Sequence, residues 1–267
     1  MLSALQHVSN SGCLHLSPVE LRLIVNPTFG DTEGLYAFFH SPLDTLFENA
    51  KIESKANNDI LLHFSIPALL KVVRSADAFD SRTVKLTKKD GRAHLTFELL
   101  TQHIESTTQL SAGPVSQSSL VQDVPVIVVA VKDMLPLTAE PNLAIPSIKV
   151  QMPLLQRFHA TVDRLRALSP NLTLHVSNAG QLRLAAKDEL TAVQSEWKGL
   201  AVAGQPPVGE CEVGVSGRKL SDVLWIERVQ AVERCVCCVA ERECLIVYCK
   251  LRGRGTVTYF LPVLTGD

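Results

Sequence analysis

The chain repeats its own order of elements, and this duplication constrains its fold more than any single motif. Sliding the sequence by about 150 residues lays residues 85–100 on residues 236–251, strand on strand and turn on turn. The same shift brings the helical pattern at residues 67–79 onto the one that opens at Arg218. Leu21-Arg22-Leu23 has a counterpart in Leu182-Arg183-Leu184. Each copy of a module must bury its own core, and 267 residues are enough to do so without a metal or disulfide staple.

Strand signals dominate. Short alternating or apolar runs fall at residues 14–16, 20–25, 34–39 and 59–64. Residues 83–87 and 93–100 flank Asp90-Gly91, a pair whose tolerance of positive φ favours a hairpin. Residues 124–131 form a strand rich in β-branched side chains. In the second half, strands are expected at 147–151, 172–177, 181–186, 191–198, 235–240, 243–251 and 255–261. Four segments read as helices: 2–9, 67–79, 154–168 and 218–227. Residues 106–119, rich in Ser, Gly and Gln, read as a loop. Residues 132–146 hold Pro136, Pro141 and Pro146, which places a domain boundary there. The expectation is an α+β fold with two similar domains, each with two helices packed on antiparallel sheets. The domains span 1–131 and 147–267, joined by a connecting loop at 132–146.

Composition narrows the functional classes. The net charge is −1, from 26 Lys plus Arg against 27 Asp plus Glu, so any nucleic-acid contact needs cations concentrated on one surface. The longest strongly apolar run, 124–131, is far short of the ~18 residues of a membrane span, and a signal-peptide pattern is not seen at the front. Seven cysteines, an odd number, point to free thiols in a reducing compartment. Five cluster as Cys235, Cys237, Cys238, Cys244 and Cys249. That spacing lacks the two C-x-x-C pairs of a zinc site and contains no His, so no metal and no cofactor is expected. A Cys-dependent enzyme would need a His base beside the thiol. The histidines, such as His63, His94, His103, His159 and His175, are scattered, and His159 beside a helix core reads as structural. Phosphate-cradling and zinc-protease motifs are missing, and the chain reads as a non-enzyme.

The helices carry the functional signal. At 100° per residue, Leu69, Val72, Val73, Ala76 and Phe79 share one arc, and Lys71 and Arg74 lie opposite it. In the third helix Leu154, Leu155, Phe158, Val162 and Leu165 form the apolar arc, with Arg157 and Arg164 together on the polar face. The fourth helix opens with Arg218 and Lys219. Cations spaced along a helix can bridge phosphates without reading bases, although a merely solvated helix face carries Lys and Arg too.

The chain resembles the sliding-clamp superfamily, and within it the Hus-one-type subunit of the nine-one-one checkpoint clamp. The resemblance covers nearly the whole chain. Its strongest stretches are Asn57-Asn58-Asp59-Ile60 running on through 69–100, and Asp123-Val124-Pro125 into the linker. Met152-Pro153-Leu154 and Val257-Thr258-Tyr259-Phe260-Leu261-Pro262 also match. The resemblance implies a DNA-clamp fold in which three chains close a ring of six domains with helices lining the hole. Lys71, Arg74 and Arg157 match DNA-facing positions, and helix geometry extends the set to Arg164, Arg218 and Lys219. It also implies edge-to-edge subunit contacts. One strand, 124–130, would supply Val126, Val128 and Ala130, and another, 191–198, would supply Val193, Ser195 and Trp197.

The implied function is that of a non-catalytic subunit of a heterotrimeric checkpoint clamp, acting in DNA damage checkpoint signalling and repair in the nucleus. Its partners would be Rad-nine-like and Rad-one-like subunits, a checkpoint clamp loader, and double-stranded DNA held without sequence specificity. A homotrimeric replication clamp is the competing reading. Members of the family open with a β-strand, whereas this chain opens inside the first helix, so a start upstream of Met1 is expected.

Overall fold

The computed structural model describes residues 1–29, 32–104, 115–143, 146, 148–203, 209–240 and 243–264. Helix α1 (Leu2–Val8) leads into β1 (Ser11–Leu16), β2 (Glu20–Val25), a 3-10 turn (Pro27–Phe29), β3 (Tyr36–Pro42), the short α2 (Leu43–Leu46) and β4 (Ile60–Ser65). Then follow α3 (Ile66–Ala76), β5 (Ser81–Lys89), β6 (Arg92–Ile104), β7 (Val115–Val128) and α4 (Val131–Thr138). The second half runs β8 (Ile148–Gln151), α5 (Leu155–Leu165), β9 (Asn171–Ser177), β10 (Gln181–Lys187), β11 (Ala192–Trp197), β12 (Val202–Ala203) and β13 (Glu210–Ser216). It closes with α6 (Gly217–Leu224), α7 (Ile226–Val229), β14 (Val232–Ala240), β15 (Cys244–Leu251) and β16 (Gly255–Leu264).

Every registered strand pair is antiparallel, and all belong to one sheet. Its main path is β11-β10-β9-β13-β16-β3-β2-β1-β4-β7-β6-β5, and β15, β14, β8 and β12 branch from β16. The pairings of the two halves correspond. β1 joins β2 and β4 as β9 joins β10 and β13, and β5-β6-β7 pair in the order of β14-β15-β16. The halves meet where β16 pairs β3, from Thr256↔His40 to Phe260↔Tyr36. At this joint Gly255 has φ +102, and a Cβ there would lie 1.9 Å from the His40 carbonyl oxygen. Only glycine admits that approach and that φ.

Local rules account for the helices. Ser65 caps α3 by accepting from the Ala68 amide at 3.4 Å, with Pro67 in the first turn. Ser216 plays the same part for α6 through the Lys219 amide at 3.5 Å. The main core runs beneath these helices through Leu5, Phe64, Ile66, Phe158, Val162, Leu174, Leu220 and Tyr259. A second cluster lies apart from it, where Leu137 of α4, with Met134 beside it, packs on Cys13, Ile24, Phe38, Leu61 and Phe260. Strand alternation explains the separation, because Phe38 and Phe39 point to opposite faces.

Three readings from the sequence change. Residues 132–138, expected within a loop, and Val131, expected to end a strand, form a helix because its apolar side seats on that second cluster, even with Pro136 inside it. Residues 115–119 belong to β7, registered with β6, and the rest of the expected loop at 105–114 lies outside the described residues. β13, unannounced in the sequence, fills the place between β9 and β16.

The pairings of β8, with β14 and with β12, have no counterpart in the first half among the described residues. β8 covers the outer edge of β14 and buries Ile148 and Val150 completely. Among the described residues no strand covers the outer edge of β5. Beside β5 opens an apolar groove of about 540 Å³ lined by Met1, Leu14, Leu23, Leu69, Leu95 and Phe97.

Candidate nucleic-acid interface and subunit edges

The helices form one continuous row, α3 against α1, α1 against α6, and α6 against α5, with α7 touching both α1 and α5. Each outer member packs on the sheet through most of the apolar arc read from the sequence, but Val73 and Leu154, expected on those arcs, are exposed, Leu154 as the N-cap of α5. Leu69, Val72 and Ala76 of α3 are buried, as are Leu155, Phe158, Val162 and Leu165 of α5. The opposite sides therefore face outward. Lys71, Arg74, Arg157 and Arg164 are all exposed, and Arg218 is 85% exposed. Together α1, α3, α5, α6 and α7 hold seven Lys or Arg and three Asp or Glu, in a chain whose net charge is −1. The remainder is acidic, so the positive charge is concentrated on the helix row.

The anions of that row are engaged. Asp163 receives Arg166 at 3.0 Å and Arg228 at 3.6 Å, and Asp222 lies 4.0 Å from Arg218. Burial raises the Asp222 carboxyl above its ordinary range, opposed by Arg218. Lys71 and Arg157 make no ion pair among the described residues, and Arg74 donates to Ser3 Oγ at 3.3 Å. Lys219 differs from the expectation of a free DNA-facing cation. Its side chain is 17% exposed, its Nζ lies 3.1 Å from Glu33 Oε2, and it also donates to the Glu33 carbonyl at 2.7 Å. Proximity to the loop before β3, which the sequence order does not reveal, redirects it.

A Ser–His–Glu constellation lies beneath the row. His159 Nε2 is 3.2 Å from Ser221 Oγ, and its Nδ1 is 3.3 Å from Glu227 Oε1. It is structural. His159 is 1% exposed, Ser221 is 4% exposed, and the Ser221 hydroxyl donates to Asp163 at 2.7 Å instead of facing a substrate. The network ties α5, α6 and α7 together. Trp225 extends it by stacking on His7 of α1, with centroids 4.1 Å apart, while Arg228 covers the Trp225 ring at 4.3 Å. Seryl chemistry does not follow from it, and among the described residues no cluster of three or more His, Cys, Asp or Glu is placed to hold a metal.

Two strand edges need separate description. β11 ends the main path, paired to β10 and to nothing on its other side among the described residues. Val193 is exposed there, while Trp197 is half-buried against Phe158, with centroids 5.0 Å apart. β7 is open elsewhere than the sequence suggested. Val126 is flanked on both sides, by Phe64 of β4 and Ala93 of β6, and Val128 pairs Leu62. Ala130 lies past the strand, as the N-cap of α4. Among the described residues, only β6 lies alongside the preceding segment of β7, through Leu120 and Val121, and its other flank is unpaired. Val126, registered on both flanks, cannot take a further strand, and Ala130 lies past the strand, which moves the candidate edge toward Leu120 and Val121.

Antiparallel sheets backed by a row of helices with outward cations define a sliding-clamp fold. Solved structures agree. PCNA from Thermococcus kodakaraensis superimposes with a TM-score of 0.66 at 14% identity, over 98% of this chain and 94% of that one. A PCNA2-PCNA3 complex from Sulfolobus tokodaii gives 0.66 at 12% identity, over 98% and 93%. The particular family follows from the sequence: the model for Hus1-like proteins matches residues 1–265, and the chain belongs to that family. Similar curated proteins include the checkpoint protein hus1 homolog of Dictyostelium discoideum, 26% identical over 96% of this chain and 91% of that protein. The checkpoint protein hus1 of Schizosaccharomyces pombe is 23% identical over 93% and 87%. Clamp proteins of this kind are non-enzymatic, in keeping with the buried Ser221–His159 pair.

Proposed function

We propose that this chain is a checkpoint clamp subunit that completes a ring around double-stranded DNA with two different clamp-like neighbours. The observation that carries this reading is the joint between β16 and β3. β7 corresponds to β16, since Pro125 of β7 and Pro262 of β16 hold the same place beside their β6 and β15 neighbours. β11 corresponds to β3 through their β10 and β2 partners. The chain thus makes one such joint internally and leaves the two halves of another unmade. Open strand edges are hazards unless paired, and a neighbour on each side would pair them.

Transferring the internal register gives the pairs that two copies of this chain would make. Ser119 would meet Glu196, Leu120 Ser195, Val121 Gln194, Gln122 Val193, and Asp123 Ala192. Every apolar side chain in that set faces a polar one. The internal joint instead sets Val257 on Phe39, Tyr259 on Ala37 and Phe260 on Tyr36. Cross-strand pairs are worth roughly 0.2–1 kcal/mol each, so self-pairing forgoes about 1–3 kcal/mol. This favours unlike neighbours over a homotrimer.

The cationic row gives the ring its inner surface. Lys71, Arg74, Arg157, Arg164 and Arg218 contact phosphates, with Lys219 serving the Glu33 link instead. Contact is sequence-independent and salt-sensitive. The domains run 1–131 and 147–267, with 132–146 as the connector. A clamp loader closes the ring, and the site of action is the nucleus. Co-expression with two clamp-like chains, read by native mass spectrometry, tests the assembly. One copy of each is expected, and a stable self-trimer of this chain would refute the reading.

A further inference from the structure

The cysteine cluster contains a geometry that the clamp reading leaves unused. Cys235 of β14 and Cys249 of β15 stand opposite each other in the strand register. Their sulfurs are 3.1 Å apart, and Met152 Sδ lies 3.4 Å from the Cys235 sulfur. A disulfide needs about 2.05 Å, so each sulfur has only about half an ångström to move. The other cysteines of this hairpin lack such a partner in register. Cys237 is opposite Val247, Cys238 opposite Ile246, and Cys244 opposite Ala240.

Both thiols are buried, Cys235 5% and Cys249 1% exposed, and only the Cys235 side adjoins a cavity. Cys235 forms part of the wall of an open cavity of about 520 Å³, together with Met152, Pro153, Leu154 and Gln230. Cys249 lies behind it, buried. On the neighbouring strand, Tyr259 is completely buried and its hydroxyl has no hydrogen-bond partner among the described residues. Tyr259 lies diagonal to Cys249, since Val257 is opposite Cys249 and Tyr259 opposite Val247. A phenolic O–H with no partner among the described residues, on the face that carries Cys235, Cys237 and Cys249, can donate to a thiolate formed there.

We propose that Cys235 and Cys249 are a peroxide-oxidised disulfide pair, with Cys235 reacting first and Cys249 resolving. The Cys235 thiolate attacks one oxygen of hydrogen peroxide, so an S–O bond forms and the O–O bond breaks. The departing hydroxide takes up the thiol proton and leaves as water. The Cys249 thiolate then attacks the Cys235 sulfur, the S–S bond forms, and the S–O bond breaks to give a second water. Two thiols lose two electrons, and these reduce the peroxide. The hydrogen bond shared with Cys249, then burial, hold the Cys235 thiol well above its ordinary range. The reaction therefore accelerates as pH rises, because the thiolate is the nucleophile.

The full chain treated with hydrogen peroxide, blocked with N-ethylmaleimide and digested with trypsin without reductant supplies the test. Cleavage after Arg234, Arg242 and Lys250 separates the two cysteines. The expected result is loss of two of the seven titratable thiols and a cross-linked peptide pair that fragments to Cys235–Cys249 and separates on reduction. Cys237→Ala keeps the link, whereas Cys249→Ser abolishes it and leaves Cys235 as a sulfenic acid trapped by dimedone. The wild-type digest stands alone should a variant fail to fold. Seven thiols still titrating after treatment, a link through other cysteines, or Met152 sulfoxide with all thiols intact would each overturn the proposal.

Discussion

Gly255 shows how much one position can decide. Its φ of +102 and its approach to the His40 carbonyl leave no space for a Cβ. Gly255→Ala is expected to cost about 2–4 kcal/mol, seen as a lower urea midpoint with an unchanged denaturant slope. An unchanged midpoint would mean that the joint relaxes without cost. Charged residues were less legible than apolar ones. Spacing alone put Lys71, Arg74, Arg157 and Arg164 on the polar sides of their helices, because 3.6-residue periodicity is a local property. Lys219 has the same local context, yet Glu33, distant in sequence, takes its ammonium. His159 was readable as a structural residue from its place beside an apolar arc, but its partners Ser221 and Glu227 were not, since they come from other helices.

Elements with strong local signals were recovered from sequence, and those made by tertiary pairing were not. The β5–β6 hairpin turns through Asp90 at φ 49 and Gly91 at φ 79, the conformation that an Asp-Gly pair supplies. By contrast, the first residues of β7 are Ser- and Gln-rich and extend only because β6 pairs with them. α4 contains Pro136, a helix breaker by propensity, and exists because Met134 and Leu137 find an apolar seat. Two predictions belong to elements. Reversing Lys71 and Arg74 of α3 to Glu should weaken DNA retention by the assembled ring and flatten its salt dependence by about one unit of slope per lost contact, without disturbing assembly. Retention measured at several salt concentrations checks this. On β7, Val121→Lys should reduce neighbour capture at least tenfold in a pull-down, since Val121 is 55% exposed on the unpaired flank. Val128→Lys, on the stretch already held by β4, should leave capture unchanged.

At the scale of the molecule, the duplication seen in the sequence reappears as two matching sets of strand pairings, joined through β16 and β3. Its sensitivity to acid follows from neighbouring strands of the first half. His15 of β1 and His63 of β4 both have pKa values lowered from 6.5, by burial first, with Asp59 opposing the shift at His15. The unfolded chain therefore takes up protons before the folded one as pH falls through 6.5. Stability is fully present above that value and is lost below it. Urea midpoints should drop between about pH 7 and pH 5, and His63→Asn should flatten the decline; a flat wild-type profile would contradict the assignment.

The β16–β3 joint also decides where a ring of such chains can part. Its two strands are tethered through one polypeptide, so after any separation they meet again at an effective concentration that untethered edges lack. Joints between chains re-form only by encounter. Entry of a DNA duplex is therefore a matter for the seams between subunits, and the covalently tethered seam within this chain cannot serve as the gate.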